Sequence, residues 1–261
     1  MSIKLCVLAS GSSGNCTFIG TETTRILIDA GISAKKTVER LAEIGETPEA
    51  LDAICVTHEH SDHISGIRVL QKKYDIPVYA NAGTLDGIRA ALKGVEVTCR
   101  QFTTGSLFEI GDVRLEPFSV SHDAYEPVGF VMRVGGCSIG LATDVGIVTH
   151  LLREKLRSCD VVVIEANHEE SMVHAAPRPW SLKQRILSNQ GHLSNSASAG
   201  LIADIAGEGL KHLFLAHLSG DCNSPTHARR AFETVLVKAG HHHITVRLTG
   251  ADQVSEILEL D

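Results

Sequence analysis

Short apolar runs with few polar interruptions recur along the chain, and they restrict its possible folds more than any other feature. KLCVLA (4–9), CTFIG (16–20), RILIDA (25–30), DAICVTH (52–58), VVVIEA (161–166) and LFLAH (213–217) read as strands, several of them buried on both faces. Segments of helical period lie between them, at 33–44, 64–73, 84–92, 148–156, 182–187, 196–205 and 226–238. Ile64, Ile67, Val69 and Leu70 form most of the apolar stripe of the second of these. IPVYA and ITVRL add short strands. From Ser106 the period changes to two, and SLFEIG, VRLEPFSV, GFVMRV and CSIGLAT read as an antiparallel run. Strands buried on both sides need a layer on each side. The predicted class is therefore α/β, with two mixed sheets face to face and helices outside, an αββα sandwich. No repeat, linker or shift in composition divides the chain, so residues 1–261 are expected to form one domain.

Composition narrows the function classes. With 43% hydrophobic and 21% charged residues the chain is too apolar to be disordered. No apolar run approaches the roughly 18 residues of a membrane span. A net charge of −7 excludes a uniformly basic coat for nucleic acid but leaves room for a local basic groove. The opening MSIKLCVLA is too short for a signal-peptide core and reads as a first strand. The seven cysteines form no C-x-x-C pair, are odd in number and mostly sit in apolar runs. They are expected to be free thiols of a cytoplasmic protein.

Histidine is over-represented, with 14 residues against 11 aromatic ones. Three of the histidines fall in His58-Glu59-His60-Ser61-Asp62-His63, between a buried strand and a helix. Residues two apart share a face at a strand end, so His58 and His60 project together. Asp62 and His63 then begin the helix beside them. Four such groups in six residues suit two neighbouring divalent ions.

H-x-H-x-D-H after a strand resembles the metallo-β-lactamase fold hydrolases, and the likeness extends along most of the chain. Asp29 in ILIDAG matches the aspartate that orients the site in that family. His122 in VSHDA, Asp144 in LATDVG and His217 in LFLAHLS match the remaining ligands. The resemblance implies a first metal site of His58, His60 and His122 and a second of Asp62, His63 and His217, with Asp144 bridging. The implied cofactors are two divalent ions per chain, Zn²⁺, Mn²⁺ or Fe²⁺, with a water or hydroxide between them. An aspartate bridge suits phosphodiesters better than lactams. Gly191-His192-Leu193-Ser194-Asn195 resembles the G-H-x-x motif of phosphodiesterase members, where the histidine protonates the leaving oxygen or contacts phosphate. Ser194 or Asn195 can cap the following helix, whose free first-turn N–H groups favour an anion, so both are candidate substrate contacts. Glu165, at the end of VVVIEA, is a candidate to orient a histidine.

ASGSSGNC, HDAYEPVGF, IEANH, PRPWSLKQRI, GHLSN and LAHLSGDCN together resemble the single-domain exonuclease family called YycJ or WalJ. That family implies 5′→3′ degradation of duplex DNA, with Asp62 and His192 as catalytic residues and a metal-held hydroxide as nucleophile. Arg178 stands where the family tends to have tyrosine. Arg178, Lys183 and Arg185 flank Trp180, and the group is a candidate DNA contact. Only 21 residues separate His122 from Asp144, too few for the tRNA-gripping arm of RNase Z-like members. The 47 between Asp144 and His192 leave no room for an inserted domain of the RNase J type. A cyclic-nucleotide-type phosphodiesterase, a thioesterase and a metal-stabilised nucleic-acid-binding module remain as alternatives. SGSSGN lacks the lysine of a P-loop and reads as a turn.

Overall fold

Alternate residues of the strands face different cores, which explains their nearly continuous apolar character. The computed structural model describes residues 2–92 and 97–260. Along Ile3–Ala9 (β1), Ile3, Leu5 and Val7 enter one buried cluster while Cys6 and Leu8 enter another. Val161–Glu165 (β11) behaves the same way, with Val161 and Val163 on one side and Val162 and Ile164 on the other.

The shared cluster lies between two sheets, each seven-stranded among the described residues. In the first, Leu258–Leu260 (β14) flanks β1. Cys16–Gly20 (β2), Arg25–Ile28 (β3), Ala53–Cys55 (β4), Val78–Ala80 (β5) and Cys99–Gln101 (β6) follow in order. In the second the order is Thr245–Leu248 (β13), His212–Ala216 (β12), β11, Cys137–Ala142 (β10), Val128–Val134 (β9), Val113–Ser119 (β8) and Phe108–Ile110 (β7). Helices cover both outer faces. Leu41 of Ala34–Glu43 (α1), Ile67 and Leu70 of Ile67–Tyr74 (α3) and Ile88 of Ala82–Ala91 (α4) pack on the first sheet. Leu152 and Leu156 of His150–Leu156 (α5), Ile202 and Ile205 of Asn195–Ile205 (α8) and Phe232 and Leu236 of Pro225–Lys238 (α9) pack on the second. The four-layer arrangement expected from the sequence is present. Among the described residues no helix is long and apolar enough to cross a membrane.

The departures from expectation have local causes. The helix predicted at 64–73 is two helices, Ser61–Ile64 (α2) and α3. They part near Gly66, whose N–H donates to Ala30 O (2.8 Å), and a Cβ there would lie 2.4 Å from Ile32 O. Two edge strands, β6 and β14, were not predicted. Each has three residues and an exposed or intermediate face, too little for a period to show. The short helix Glu170–Ala175 (α6) was also unpredicted, whereas Trp180–Ile186 (α7) starts two residues before the expected 182–187. Gly200 lies within α8 with no atom within 4 Å of a would-be Cβ. Gly200→Ala is therefore expected to stabilise the protein by about 0.4–1 kcal/mol through lost unfolded-state freedom. A melting curve that falls rather than rises would contradict this.

Strands β3 and β4 run parallel, as do β10, β11 and β12. Their C-terminal ends deliver Asp29, His58, Asp144, Glu165 and His217. Three of these residues, Asp29 (φ 61°), Asp144 (φ 57°) and His217 (φ 54°), adopt the left-handed conformation just past their strands. Such a conformation costs on the order of 1 kcal/mol or more for a side-chain-bearing residue. It turns the chain sharply and ends the strand earlier than RILIDA and LFLAH suggested.

Candidate metal centre

The two histidine-rich ends meet in one buried cluster. The donor atoms of His58, His60 and His122 lie within 4.8 Å of one another, and so do those of Asp62, His63 and His217. A third grouping joins His58, His63 and Asp144. The rings of His58 and His60 are 4.6 Å apart, and that of His122 is 5.1 and 5.0 Å from them. Asp144 stands among four imidazoles, with oxygens 3.1 Å from His63 Nε2, 3.4 Å from His217 Nε2 and 3.7 Å from both His122 Nε2 and His192 Nδ1.

Four of the imidazoles, those of His63, His122, His192 and His217, are aimed by a partner on the far side. Asp29 is 2% exposed. Its Oδ1 accepts from Thr57 N–H, and its Oδ2 accepts from the Thr57 hydroxyl and His63 Nδ1, all at 2.8 Å. A carboxylate here only accepts, so the proton sits on Nδ1 and Nε2 faces the cluster. His122 Nδ1 donates to Gly191 O at 3.1 Å. Glu165 is wholly buried. It accepts from His192 Nδ1 (2.8 Å), Val145 N–H (2.9 Å) and Leu193 N–H (3.1 Å) and lies 3.2 Å from His217 Nδ1. One carboxylate thus ties the end of β10, the Gly-His-Leu-Ser-Asn segment and the end of β12.

The electrostatics divide the histidines. Burial, reinforced by His63, pushes His58 well below its usual pKa, and burial also lowers His122. Burial opposes charge on His217 as well, but Asp144, Asp62 and Glu165 outweigh it and raise the pKa to about 10. Glu165 is held at about 2 because His192 and His217 overcome the burial that would raise it. His192 is raised in turn, since Glu165 and Asp144 outweigh its burial. His58 Nε2, His217 Nε2 and Asp144 Oδ2 are buried without a hydrogen-bond partner. Orphaned polar atoms are costly unless something completes them. Imidazole nitrogens with carboxylate oxygens are borderline donors of the kind that hold Zn²⁺, Mn²⁺ or Fe²⁺. The clusters can hold metal, and the unpaired atoms fit that use.

Glu165→Gln keeps the size and loses the charge. It is expected to lower kcat by about 10- to 100-fold through misaligned His192 and His217. Kinetics of the variant at unchanged metal loading would check this, and a wild-type kcat would refute it.

The expected substrate contacts fare unevenly. Ser194 is the N-cap of α8, accepts from Ala197 N–H (3.2 Å) and donates to Glu170 Oε1 (3.0 Å). Asn195 is 1% exposed and exchanges two 2.9 Å hydrogen bonds with Asn223. The cap expected at this helix start is supplied by Ser194, whereas the Asn195 amide is spent on Asn223 inside the fold. Trp180 is 59% exposed on α7. On the same helix Lys183 donates to His174 O (2.6 Å) and Arg185 to Asp123 Oδ2 (2.5 Å), while Arg178 pairs with Asp221 just before it.

Sequence reasoning passed over other groups. Asn15 lies in the segment read only as a turn. Its Nδ2 lies 3.0 Å from His63 Nε2 and 3.3 Å from Asp62 Oδ2, and its N–H donates to Asp62 O. The Ser10 hydroxyl accepts from His217 N–H at 2.7 Å. Thr57, between β4 and the histidine motif, also lies 3.0 Å from His58 Nδ1. The resemblance of ASGSSGNC to a known family was the only available signal for Ser10 and Asn15.

Comparison with known proteins agrees with this geometry. Residues 24–217 match a family described as a beta-lactamase superfamily domain. The chain is 38% identical to exodeoxyribonuclease YycJ of Bacillus anthracis over 92% of its own length and 91% of that protein. It is 39% identical to exodeoxyribonuclease WalJ of Streptococcus pneumoniae (strain D39), covering 92% of this chain and 90% of the relative. Among solved structures, the metallo-beta-lactamase fold protein YhfI from Bacillus subtilis superposes over the whole of both chains with a TM-score of 0.76 at 15% identity, which speaks for the fold. The chain belongs to the metallo-β-lactamase superfamily of hydrolases and, within it, to the YycJ/WalJ family.

Proposed function

We propose that this protein is a metal-dependent exodeoxyribonuclease that degrades duplex DNA from the 5′ end, acting in the cytoplasm as one domain over residues 1–261. The observation that carries the reading is the convergence of both donor triads, Asp144 and His192 in a near-full-length relative of YycJ and WalJ. His58, His60 and His122 would hold one ion and Asp62, His63 and His217 a second, with Asp144 shared and Asp29 fixing His63. Divalent ions bound there supply Lewis-acid stabilisation of the phosphoryl transition state and a strong nucleophile at neutral pH.

The chain's own groups do the rest. The Asp62 side chain is 21% exposed, the most open of the acidic donors, and can orient an attacking water toward phosphorus. As the P–O3′ bond breaks, the leaving oxygen needs a proton. His192 is 19% exposed at its side chain and anchored through Nδ1 to Glu165, which supports a role for its Nε2 in giving one. Arg178, Trp180, Lys183 and Arg185, on or next to α7, form the candidate DNA surface of an otherwise acidic protein. The seven unpaired cysteines suit a reducing compartment.

The test is nucleotide release from 5′-phosphorylated duplex DNA labelled at either end, with Mn²⁺ and an Asp62→Ala control. Early loss of the 5′ label in wild type, absent in the control, is expected. No release with either Mn²⁺ or Zn²⁺ would overturn the reading in favour of a small-diester hydrolase.

A further inference from the structure

Tyr125, at the edge of the metal cluster, has no part in the site as described so far. At 67% exposure it is the most exposed large hydrophobic side chain among the described residues. A loose loop would explain that, but the backbone beneath this ring is fixed from several directions. The Tyr125 N–H donates to Glu59 Oε1 at 2.9 Å. Glu59 stands between His58 and His60 and is buried against Gly87, where a Cβ would meet Glu59 Cγ at 2.4 Å.

The neighbours of Tyr125 are equally tied. Glu126 accepts from Gly83 N–H (2.9 Å), from the Thr104 hydroxyl (2.6 Å) and, through its carbonyl, from Asn81 Nδ2 (2.8 Å). Asp123 N–H donates to Gln190 O (3.1 Å), and its carboxylate takes Arg185 of α7. Three residues before Tyr125, His122 stands in the cluster itself. Internal bonds thus fix the backbone that carries a water-exposed ring, for which burial gains nothing. Trp180, the other aromatic among the strongly exposed residues, sits on the helix joined to this loop by the Arg185–Asp123 pair.

We propose that Tyr125 is a stacking platform for a nucleobase of the strand whose phosphate enters the cluster. The proposal rests on the nuclease reading above. Every base offers a π face, so a fixed ring serves an enzyme that removes nucleotides in turn without choosing among them. A substrate without bases gains nothing from such a platform.

The experiment pairs 5′-phosphorylated oligonucleotide duplexes that differ only in bearing bases or abasic residues at the two 5′-terminal positions. Wild type, Tyr125→Phe and Tyr125→Ala are compared with Mn²⁺. Loss of the bases is expected to raise the wild-type KM by about tenfold, with Tyr125→Phe behaving alike. In Tyr125→Ala the two substrates should have the same, raised KM. A preference for bases that survives in Tyr125→Ala overturns the proposal while leaving the nuclease reading intact. Failure of wild type to cut either duplex overturns both. Binding gives a second readout: 2-aminopurine at the 5′ end should be quenched by wild type and Tyr125→Phe but not by Tyr125→Ala. Equal quenching by all three places the contact elsewhere and overturns the proposal. Tyr125→Ala should melt with wild type, because the ring it removes is exposed.

Discussion

Asp144→Ala is expected to abolish hydrolysis, with kcat/KM falling about a thousandfold or more. The carboxylate is 2% exposed and lies within 4 Å of four imidazoles, so no other group can replace it. Burial alone would favour its neutral form, yet His217, His63 and His58 hold its pKa well below the usual carboxylate range. Without it the two donor groups lose the carboxylate that lies against both, and the several kcal/mol that a bound metal would contribute to the transition state are expected to be lost. Asp144→Asn refines the test. Asparagine tolerates the left-handed backbone at this position (φ 57°) and keeps the size, so it removes only the charge. Mn²⁺ or Zn²⁺ is expected to raise the melting temperature of wild type, and both variants should lose that rise. An Asp144→Asn enzyme with a tenth of wild-type activity would show that the aspartate charge is not central.

Gly31→Ala should be the most damaging glycine-to-alanine change among the described residues. A Cβ at Gly31 would lie 1.6 Å from Asp62 O, 2.3 Å from Asp62 C and 2.7 Å from Asn15 N, all backbone atoms that cannot rotate away. Gly31 N–H also donates to Asn15 O, and Asn15 N–H to Asp62 O, both at 2.8 Å. Three chain segments meet there at backbone distance. The expected loss is about 3 kcal/mol or more, or a fall of roughly 10 °C in melting temperature for a chain of this size. Whatever folds should have Asp62 displaced and be nearly inactive. Gly31→Ala that melts within 2–3 °C of wild type, roughly the shift of a 1 kcal/mol change, would contradict the close approach.

The parts legible in the sequence and the parts that were not differ in physical kind. The buried strands could be read because burial on both faces leaves an apolar run that needs no partner to be noticed. The histidine motif could be read because its groups lie within one turn of chain. Asn15 and Ser10 act because distant segments meet, and Thr57 holds Asp29 from 28 residues away, contacts that no local spacing or period records. Asn195 misled for the converse reason. Its place at a helix start suggested an anion contact, but its amide partner, Asn223, is 28 residues away in sequence. Gly66 broke a helix whose apolar stripe looked continuous, because the stripe records what faces the core and not what crosses the opposite side.

The donors of the cluster come from residues 58 to 217 and from the strand ends of both sheets. They converge only when the two sheets have docked, so the cluster cannot exist in either sheet alone. An ion held there acts as a cross-link closing a loop of about 160 residues, and the unfolded chain has no equivalent site. Ion affinity therefore measures how completely the sandwich has assembled. A substitution deep in the shared core, far from any donor, will register first as weakened metal binding and only later as lost secondary structure.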